Sequence, residues 1–306
     1  MRLCRPLAGA TTALAVLAVA ACGSGPAAAA DDGTLTVVTS TDVYGSIAEA
    51  VGGDTVTVES LISDPAADPH SYESTPADAV TVAGGDVVVV NGGGYDGFMP
   101  QLLESTGADP AVIDVAELSG LVPADGSGEF NEHFWYSLPT MQALATRLAE
   151  ELGSADVANA AVYTANAEAF NASVAELMQR AEAAGAAVPG GRVAVTEPLP
   201  GYLIEAAGLT DVTPPAFSEA VEEDTDPPAA VIAETLALFA PDAPDPVRAL
   251  ILNAQTETPT TDQVRRSAEA AGVPVVEITE TLPEGTDYLG WMSAQVEALT
   301  SALAPV

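Results

Sequence analysis

The sequence has no lysine, only two histidines and only two cysteines in 306 residues. Its eight basic residues are all arginine, and they are outnumbered by 44 acidic residues, which gives a formal net charge of −36. Nucleic-acid binding needs clustered basic side chains that neutralise phosphates, so this composition argues against a nucleic-acid partner. The lack of lysine also argues against a Walker-type phosphate loop in the glycine-rich stretch at 92–99, which is interpreted as a strand exit.

The N-terminal segment has the pattern of an export signal rather than of a membrane span. Two arginines precede an uncharged apolar run at 7–21. The run ends in VAAC, which resembles a lipobox, where signal peptidase cuts before a cysteine that carries lipid. This predicts a lipoprotein signal peptide at 1–21, a lipidated Cys22 and a flexible tether at 22–33. Because Cys4 leaves with the signal, the mature chain has no disulfide and depends on an ordinary core.

Short β-branched runs alternate with longer helical stretches after the tether, which is typical of parallel α/β sheets. The predicted strands fall into two groups. They lie at 35–41, 56–62, 86–91 and 111–115 in the first group, and at 192–197, 248–253 and 273–279 in the second. The pattern predicts an α/β fold of two lobes, each a parallel-sheet α/β sandwich, at 34–153 and 186–306.

A helical stretch at 154–185 separates the two groups of strands. Its apolar side chains repeat on one face at helical spacing, at Tyr163, Phe170, Val174, Leu177 and Ala181. Ser154 is the expected N-cap, and Gly185 is expected to end the helix. About 30 residues at 1.5 Å each give roughly 45 Å, so we expect one long rigid helix that joins the lobes.

Both histidines fall on loops that precede helices. His70 lies in DPAADPHSYESTPAD, whose prolines stiffen the backbone ahead of a helix from about Thr75. His133 precedes a helix that has Pro139 in its first turn. A loop histidine is most often an ordinary polar surface residue. Two such loops, in a chain with no other histidine, weaken that interpretation without replacing it.

Two carboxylates complete a candidate cluster. Glu197 ends one predicted strand, and Glu280 follows another. Loops at the carboxyl ends of parallel strands face one crevice, so these carboxylates and the histidines can converge there. Two imidazoles and two carboxylates are a plausible set of ligands for a divalent transition metal. Spacing alone is weak support, because 44 acidic residues offer many other partners.

Four motifs resemble, in order, the ligand motifs of metal-binding solute-binding lipoproteins of bacterial ABC importers, the zinc/manganese (cluster 9) family. SDPAADPHSYESTPAD resembles the first motif, with Ser74 in place of the usual proline. NEHFWYSLPTM is similar to the second, from which Glu132 and Ser137 depart. VAVTEPLPGYLIEAAGL resembles the third. VVEITETLPEGTDYLGWM resembles the fourth, with Glu280 in place of the commoner aspartate.

The resemblance covers the chain from about Leu35 to its C-terminus. It implies one divalent transition metal ion, Mn²⁺ or Zn²⁺ with Fe²⁺ as a further candidate, bound in the cleft between the lobes. The implied metal ligands are His70, His133, Glu197 and Glu280. It also implies a monomeric extracytoplasmic receptor, anchored to the cell membrane through Cys22, that delivers the ion to an ABC permease with its ATPase. Tyr95 and Trp135 are interpreted as packing residues of the cleft.

Two other functions stay open on the sequence. A surface adhesin lipoprotein would bind a macromolecule and keep binding it after metal chelation. A metallohydrolase would need an open metal position and a general base, for which Glu257 is the only candidate. The chain has no H-E-x-x-H helix, and four protein ligands are more typical of a closed site than of a catalytic one. The sequence therefore favours a receptor that is not an enzyme.

The identity of the metal is open between two arguments. Two carboxylates make the site harder than a three-histidine site, which favours manganese or ferrous iron relative to zinc. The Irving–Williams order nevertheless gives zinc the tighter binding to most nitrogen and oxygen sites. Affinity in vitro and the transported ion can therefore differ.

Overall fold

The computed structural model describes residues 34–64, 72–123, 130–243 and 245–304. Within these ranges, eight strands form two four-stranded sheets with the orders β2-β1-β3-β4 and β6-β5-β7-β8. The first sheet contains β1 (Leu35–Thr41), β2 (Val56–Ile62), β3 (Val87–Val90) and β4 (Ala111–Asp114). The second contains β5 (Arg192–Val195), β6 (Thr210–Asp211), β7 (Ala249–Asn253) and β8 (Val275–Ile278). Every pairing is parallel, which confirms the predicted α/β fold of two parallel-sheet lobes.

Helices connect and cover the strands, as crossovers between parallel strands require. In chain order they are α1 (Asp42–Gly52), α2 (Pro76–Ala83), α3 (Phe98–Thr106), α4 (Val115–Ser119), α5 (Leu138–Ala155), α6 (Ala160–Ala186), α7 (Gly201–Ala206), α8 (Pro215–Glu222), α9 (Ala229–Ala237), α10 (Pro259–Ala270) and α11 (Tyr288–Leu303). None of these helices is both long and apolar enough to span a bilayer. The predicted signal peptide, Cys22 and the tether lie outside the described residues.

The long helix between the two sheets is α6, whose 27 residues extend about 40 Å at 1.5 Å per residue. Its predicted apolar stripe is buried along the whole length, at Tyr163, Phe170, Val174, Leu177 and Ala181. The helix packs against α5, α11 and α1. One continuous core therefore includes side chains from both sheets and from this helix.

The predicted start of the long helix is wrong, whereas its predicted end at 185 lies within one residue of the observed end at Ala186. Ser154 lies in the last turn of α5, and α6 begins only at Ala160, after a turn in which Asp156 accepts hydrogen bonds from Ala158 and Asn159. Gly185 is the penultimate residue of α6. A Cβ at Gly185 would collide with the carbonyl oxygen of Ala207, so the glycine is needed for close packing against the end of α7.

The strands with buried β-branched runs have the predicted positions because a parallel sheet is covered on both faces. All four residues of β3 are buried, and the last five residues of β1 are buried as well. Strand β6, which the sequence analysis did not predict, has two exposed residues at the edge of its sheet. A two-residue edge strand has too few side chains to show a periodic pattern.

Candidate metal site

The second sheet brings two of the predicted ligands together. Glu197 follows β5 by two residues, Glu280 follows β8 by two, and Asn253 is the last residue of β7, which lies between those strands. The side-chain amide of Asn253 donates to Glu197 Oε2 at 2.6 Å and to Glu280 Oε1 at 2.8 Å. All three side chains are buried, with at most 3% exposed. The carboxyl ends of three neighbouring strands thus bring two buried carboxylates together around one amide.

Glu197 is buried and has a strongly perturbed ionisation. Burial raises its pKa from 4.5 to about 7, which outweighs the hydrogen bonds that it accepts from Thr256 and Asn253. The nearby carboxylates of Glu222 and Glu280 raise the pKa further. A cation bound beside this cluster would favour the charged form and reverse that shift.

Glu280 is held by groups from both lobes. Its backbone N–H donates to Gln255 Oε1 at 2.5 Å, and the Gln255 side-chain amide donates to Thr281 Oγ1 at 2.7 Å. From the first lobe, the hydroxyl of Tyr95 donates to Glu280 Oε2 at 3.3 Å. The sequence analysis interpreted Tyr95 as a packing residue only. Its hydroxyl adds a polar contact across the cleft.

The glycine-rich loop after β3 positions Tyr95. The Asp96 carboxylate accepts hydrogen bonds from the backbone N–H groups of Asn91, at 2.6 Å, and Gly92, at 2.9 Å. Gly92 has a φ of +70°, and a Cβ there would collide with the Asp114 carboxylate, so this turn needs glycine. The loop is therefore a rigid structural turn, as expected for a strand exit.

His133 is the predicted ligand from the first lobe, and only 1% of it is exposed. Its Nδ1 lies 2.7 Å from Asn131 Oδ1, which also accepts the His133 backbone N–H at 2.9 Å. Asn131 is held in turn by donating to the carbonyl of Pro198 at 2.6 Å. Because Asn131 Oδ1 can only accept, Nδ1 carries the proton and Nε2 is the nitrogen that can bind a metal.

Aromatic rings enclose the imidazole. Trp135 contacts His133 edge to face, with ring centroids 5.1 Å apart at 83°. Tyr95 contacts it at 6.1 Å and 71°, and Tyr95 and Trp135 also contact each other at 4.9 Å. These rings exclude water from one side of the site, which strengthens electrostatic interactions there.

A third carboxylate, which the sequence analysis did not select, lies beside His133. Glu222 ends α8, and its Oε1 lies 3.1 Å from His133 Nε2. Both of its carboxylate oxygens are excluded from solvent. Burial lowers the pKa of His133, but the hydrogen bond and negative charge of Glu222, together with Glu280 and Glu132, raise it above its ordinary value overall. The only signal in the sequence was the acidic run EED, which is hidden among 44 acidic residues.

The remaining predicted ligand, His70, lies outside the described residues. Within the described ranges, no three histidine, cysteine or carboxylate side chains are arranged so that they could hold a metal ion by themselves. The structure therefore brings Glu197 and Glu280 together, with His133 within electrostatic reach of Glu280. Asn131 and Asn253, which orient these groups, were not predicted.

Most of the chain matches the model of a known family. A family model described as "ZnuA: Zinc-uptake complex component A periplasmic" matches residues 37–302. The chain belongs to this family. Solved structures are similar to most of the chain. The substrate-binding protein FpvC from P. aeruginosa, in complex with Ni²⁺, superposes with a TM-score of 0.71 at 24% sequence identity. The similarity covers 89% of this chain and 99% of FpvC. At that identity the likeness shows the shared fold.

Two curated relatives give a similar picture of the ZnuA family. The manganese-binding lipoprotein MntA of Halalkalibacterium halodurans is 30% identical over 162 residues, which is 53% of each chain. The iron-binding protein YfeA of Yersinia pestis is 31% identical over 136 residues, 44% of this chain and 43% of YfeA. The chain thus matches about half the length of these relatives.

The general base considered for a hydrolase is engaged in an ion pair. Glu257 pairs with Arg265 on α10, and its side chain is 45% exposed. A carboxylate stabilised by a guanidinium is a weaker base, and an exposed one is poorly placed to serve a buried site. This arrangement weakens the case for metal-assisted hydrolysis.

Proposed function

We propose that this protein is an extracytoplasmic receptor that captures one divalent transition metal ion and delivers it to an ABC permease with its ATPase. The observation that carries the proposal is the buried cluster in which Asn253 holds Glu197 and Glu280 together, opposite His133. Burying carboxylates costs free energy unless a cation neutralises them. Membership of the ZnuA family supports metal transport as the function for which these carboxylates are buried.

We propose His70, His133, Glu197 and Glu280 as the ligands. His133 supports the assignment because Asn131 fixes its Nδ1 proton and leaves Nε2, which lies 3.1 Å from Glu222 Oε1, as the nitrogen that can bind a metal. Glu197 and Glu280 support it because both are oriented by hydrogen bonds from Asn253. His70 is assigned from its motif alone and completes a set of two nitrogens and two carboxylates.

We propose Mn²⁺ or Zn²⁺ as the ion, with Fe²⁺ as a further candidate. The relatives MntA and YfeA are named for manganese and iron, respectively. A site with at least as many carboxylates as imidazoles suits these harder ions. Zinc stays a candidate because it binds most nitrogen and oxygen sites more tightly.

We propose that the ion is held where the lobes meet, with the lobes at 34–153 and 186–306 and the segment 154–185 between them. Contacts across the cleft support this: Tyr136 donates to the carbonyl of Thr279 at 2.9 Å, in addition to the contact from Tyr95 to Glu280. Ligands from two lobes make affinity depend on their relative position. A permease that separates the lobes would therefore release the ion.

We propose that the mature chain acts as a monomer, tethered to the outer face of the cell membrane by lipid on Cys22. The export-signal pattern and the lipobox support this, as does the similarity to MntA, which is named a manganese-binding lipoprotein. Globomycin treatment of expressing cells, which blocks lipoprotein signal cleavage, should retain the uncleaved precursor. Cys22→Ala should release the chain from the membrane fraction.

Metal analysis of protein purified without added metal, followed by competitive calorimetric titration, tests the receptor proposal. The expected result is one Mn²⁺ or Zn²⁺ per chain, lost to a chelator and regained on addition of the ion. A protein that binds a macromolecule equally well after chelation would instead be an adhesin. Hydrolytic turnover that is lost in Glu257→Gln would identify an enzyme.

A further inference from the structure

The third buried carboxylate of the site belongs to Glu222, which the four-ligand assignment does not use. Its side chain is 15% exposed, but both carboxylate oxygens are excluded from solvent. It comes from the C-terminal end of α8, an element that supplies none of the four proposed ligands. The carboxylate is thus directed into the protein rather than toward water, in spite of the chain's large surplus of exposed acidic residues.

The distance from Glu222 to His133 has two compatible interpretations. A separation of 3.1 Å between Oε1 and Nε2 is that of a close ion pair. Donor atoms that each lie ~2.1 Å from one metal ion are ~3 Å apart when they bind at right angles. The same side-chain positions therefore suit an ion pair without metal and two neighbouring ligands with metal.

The charges around Glu222 point to a cation rather than to a purely structural pair. Glu222 lies against His133, and Glu197 and Glu280 are held together by the side-chain amide of Asn253. Three carboxylates that act on one another in a buried space repel unless a positive charge is shared among them. A protonated His133 would supply only one positive charge, whereas a divalent cation would supply two.

From this geometry we infer that Glu222 is a further ligand of the metal ion and that it favours manganese over zinc. The inference rests on the proposed function, because it concerns the same site. Zinc is satisfied by four ligands in a tetrahedron, whereas manganese takes six donors and prefers oxygen. A third carboxylate therefore adds more to the binding of manganese than to the binding of zinc.

Glu222→Gln keeps the size of the side chain and removes its charge, and the adjacent exposed Glu223→Gln is a matched control. Calorimetric titrations with Mn²⁺ and with Zn²⁺ measure the effect. We expect Glu222→Gln to weaken Mn²⁺ binding at least tenfold and Zn²⁺ binding less than threefold, with Glu223→Gln unchanged for both ions. The electron paramagnetic resonance spectrum of bound Mn²⁺ should also change in Glu222→Gln, because a ligand is lost.

Unchanged or tighter Mn²⁺ binding in Glu222→Gln, or equal losses for the two ions, would overturn the inference. An unaltered Mn²⁺ spectrum would do so as well, even if stability changed. Wild-type protein that bound neither ion would overturn the proposed function and this inference together. Wild-type binding that Glu222→Gln leaves unchanged would overturn this inference alone.

Discussion

The two lobes contribute opposite chemistry to the candidate site. The first lobe supplies an imidazole enclosed by aromatic rings, with Tyr95 and Trp135 against His133. The second lobe supplies buried carboxylates that an amide holds together at the ends of three parallel strands. Nitrogen donors in an apolar wall bind metals selectively but add no charge, whereas carboxylates add charge at a high desolvation cost. Under the proposed assignment, neither lobe alone supplies all four ligands.

The largest loss of metal affinity is expected when a carboxylate of the second lobe is changed. Glu280→Gln keeps size and removes charge from a side chain that both lobes contact, so we expect metal affinity to fall at least 100-fold, about 2.7 kcal/mol. Calorimetric titration measures it. Glu284→Gln is the control, because Glu284 is exposed. Asp287→Asn should also change little, since Asp287 caps α11 by accepting the Gly290 N–H and asparagine is an equally good cap. If Glu284→Gln were the damaging change, the fourth ligand would be misassigned.

The next largest loss of metal affinity is expected when a histidine of the first lobe is changed. His133→Ala removes a ligand, and we expect affinity to fall at least 30-fold, about 2 kcal/mol. His133 is buried against Trp135, so the variant should also lose roughly 1–3 kcal/mol of stability, which thermal unfolding without metal would measure separately. His70→Ala should weaken binding similarly. Wild-type affinity in both variants would remove the histidines from the site.

A pH series sharpens the comparison because both sides must lose protons before metal binds. Glu197 has a pKa of about 7, and the pKa of His133 is raised above its ordinary value. Metal affinity should therefore fall as pH drops through about 7, and titrations between pH 5 and 8 measure it. A binding constant that is flat over this range would contradict the assignment.

The stability of the metal-free protein should change with pH in the opposite direction. Glu197 binds its proton more tightly in the folded state than in the unfolded state, where the pKa is 4.5. The folded state then holds more protons between pH 4.5 and about 7, so its stability should rise as pH falls through that window. The raised pKa of His133 acts in the same direction. Denaturant unfolding of metal-free protein at pH 5.5 and 7.5 measures it, and greater stability at pH 7.5 would contradict it.

The smallest expected effect concerns the contact between the lobes. Tyr95→Phe removes the hydroxyl that donates to Glu280 at 3.3 Å, a long hydrogen bond of modest strength. We expect metal affinity to fall about threefold. Tyr163→Phe is a suitable control, because the Tyr163 hydroxyl contacts Thr55 and Asp156 instead. Equal changes in the two variants would mean that the Tyr95 hydroxyl has no specific role at the site.

Much of this architecture follows from local sequence patterns. Strands β1 and β2 have the predicted bounds, because each is a run of seven residues rich in β-branched side chains. The placement of Glu197 and Glu280 follows from one rule, that residues after parallel strands share an edge. The start of α6 could not be predicted, because alanine-rich sequence continues through the turn at 156–159.

The residues that orient the site were harder to predict because their roles are tertiary. Polar residues often stand at the end of a strand, so Asn253 carries no distinctive signal in the sequence. The order of β5, β7 and β8 places it between two carboxylates. Asn131 is a loop asparagine whose role depends on its tertiary contacts with the His133 ring and the Pro198 carbonyl. Glu222 is one acidic residue among 44, and its burial depends on how α8 packs.

The central claim is that one ion is bound between the imidazole side and the carboxylate side. Anomalous diffraction from crystals of the Mn²⁺-loaded protein, measured on both sides of the manganese absorption edge, locates the ion directly. The account predicts one manganese peak per chain, within ~2.0–2.3 Å of donor atoms of His70, His133, Glu197 and Glu280. A peak that lies elsewhere, or that touches residues of only one lobe, would contradict it.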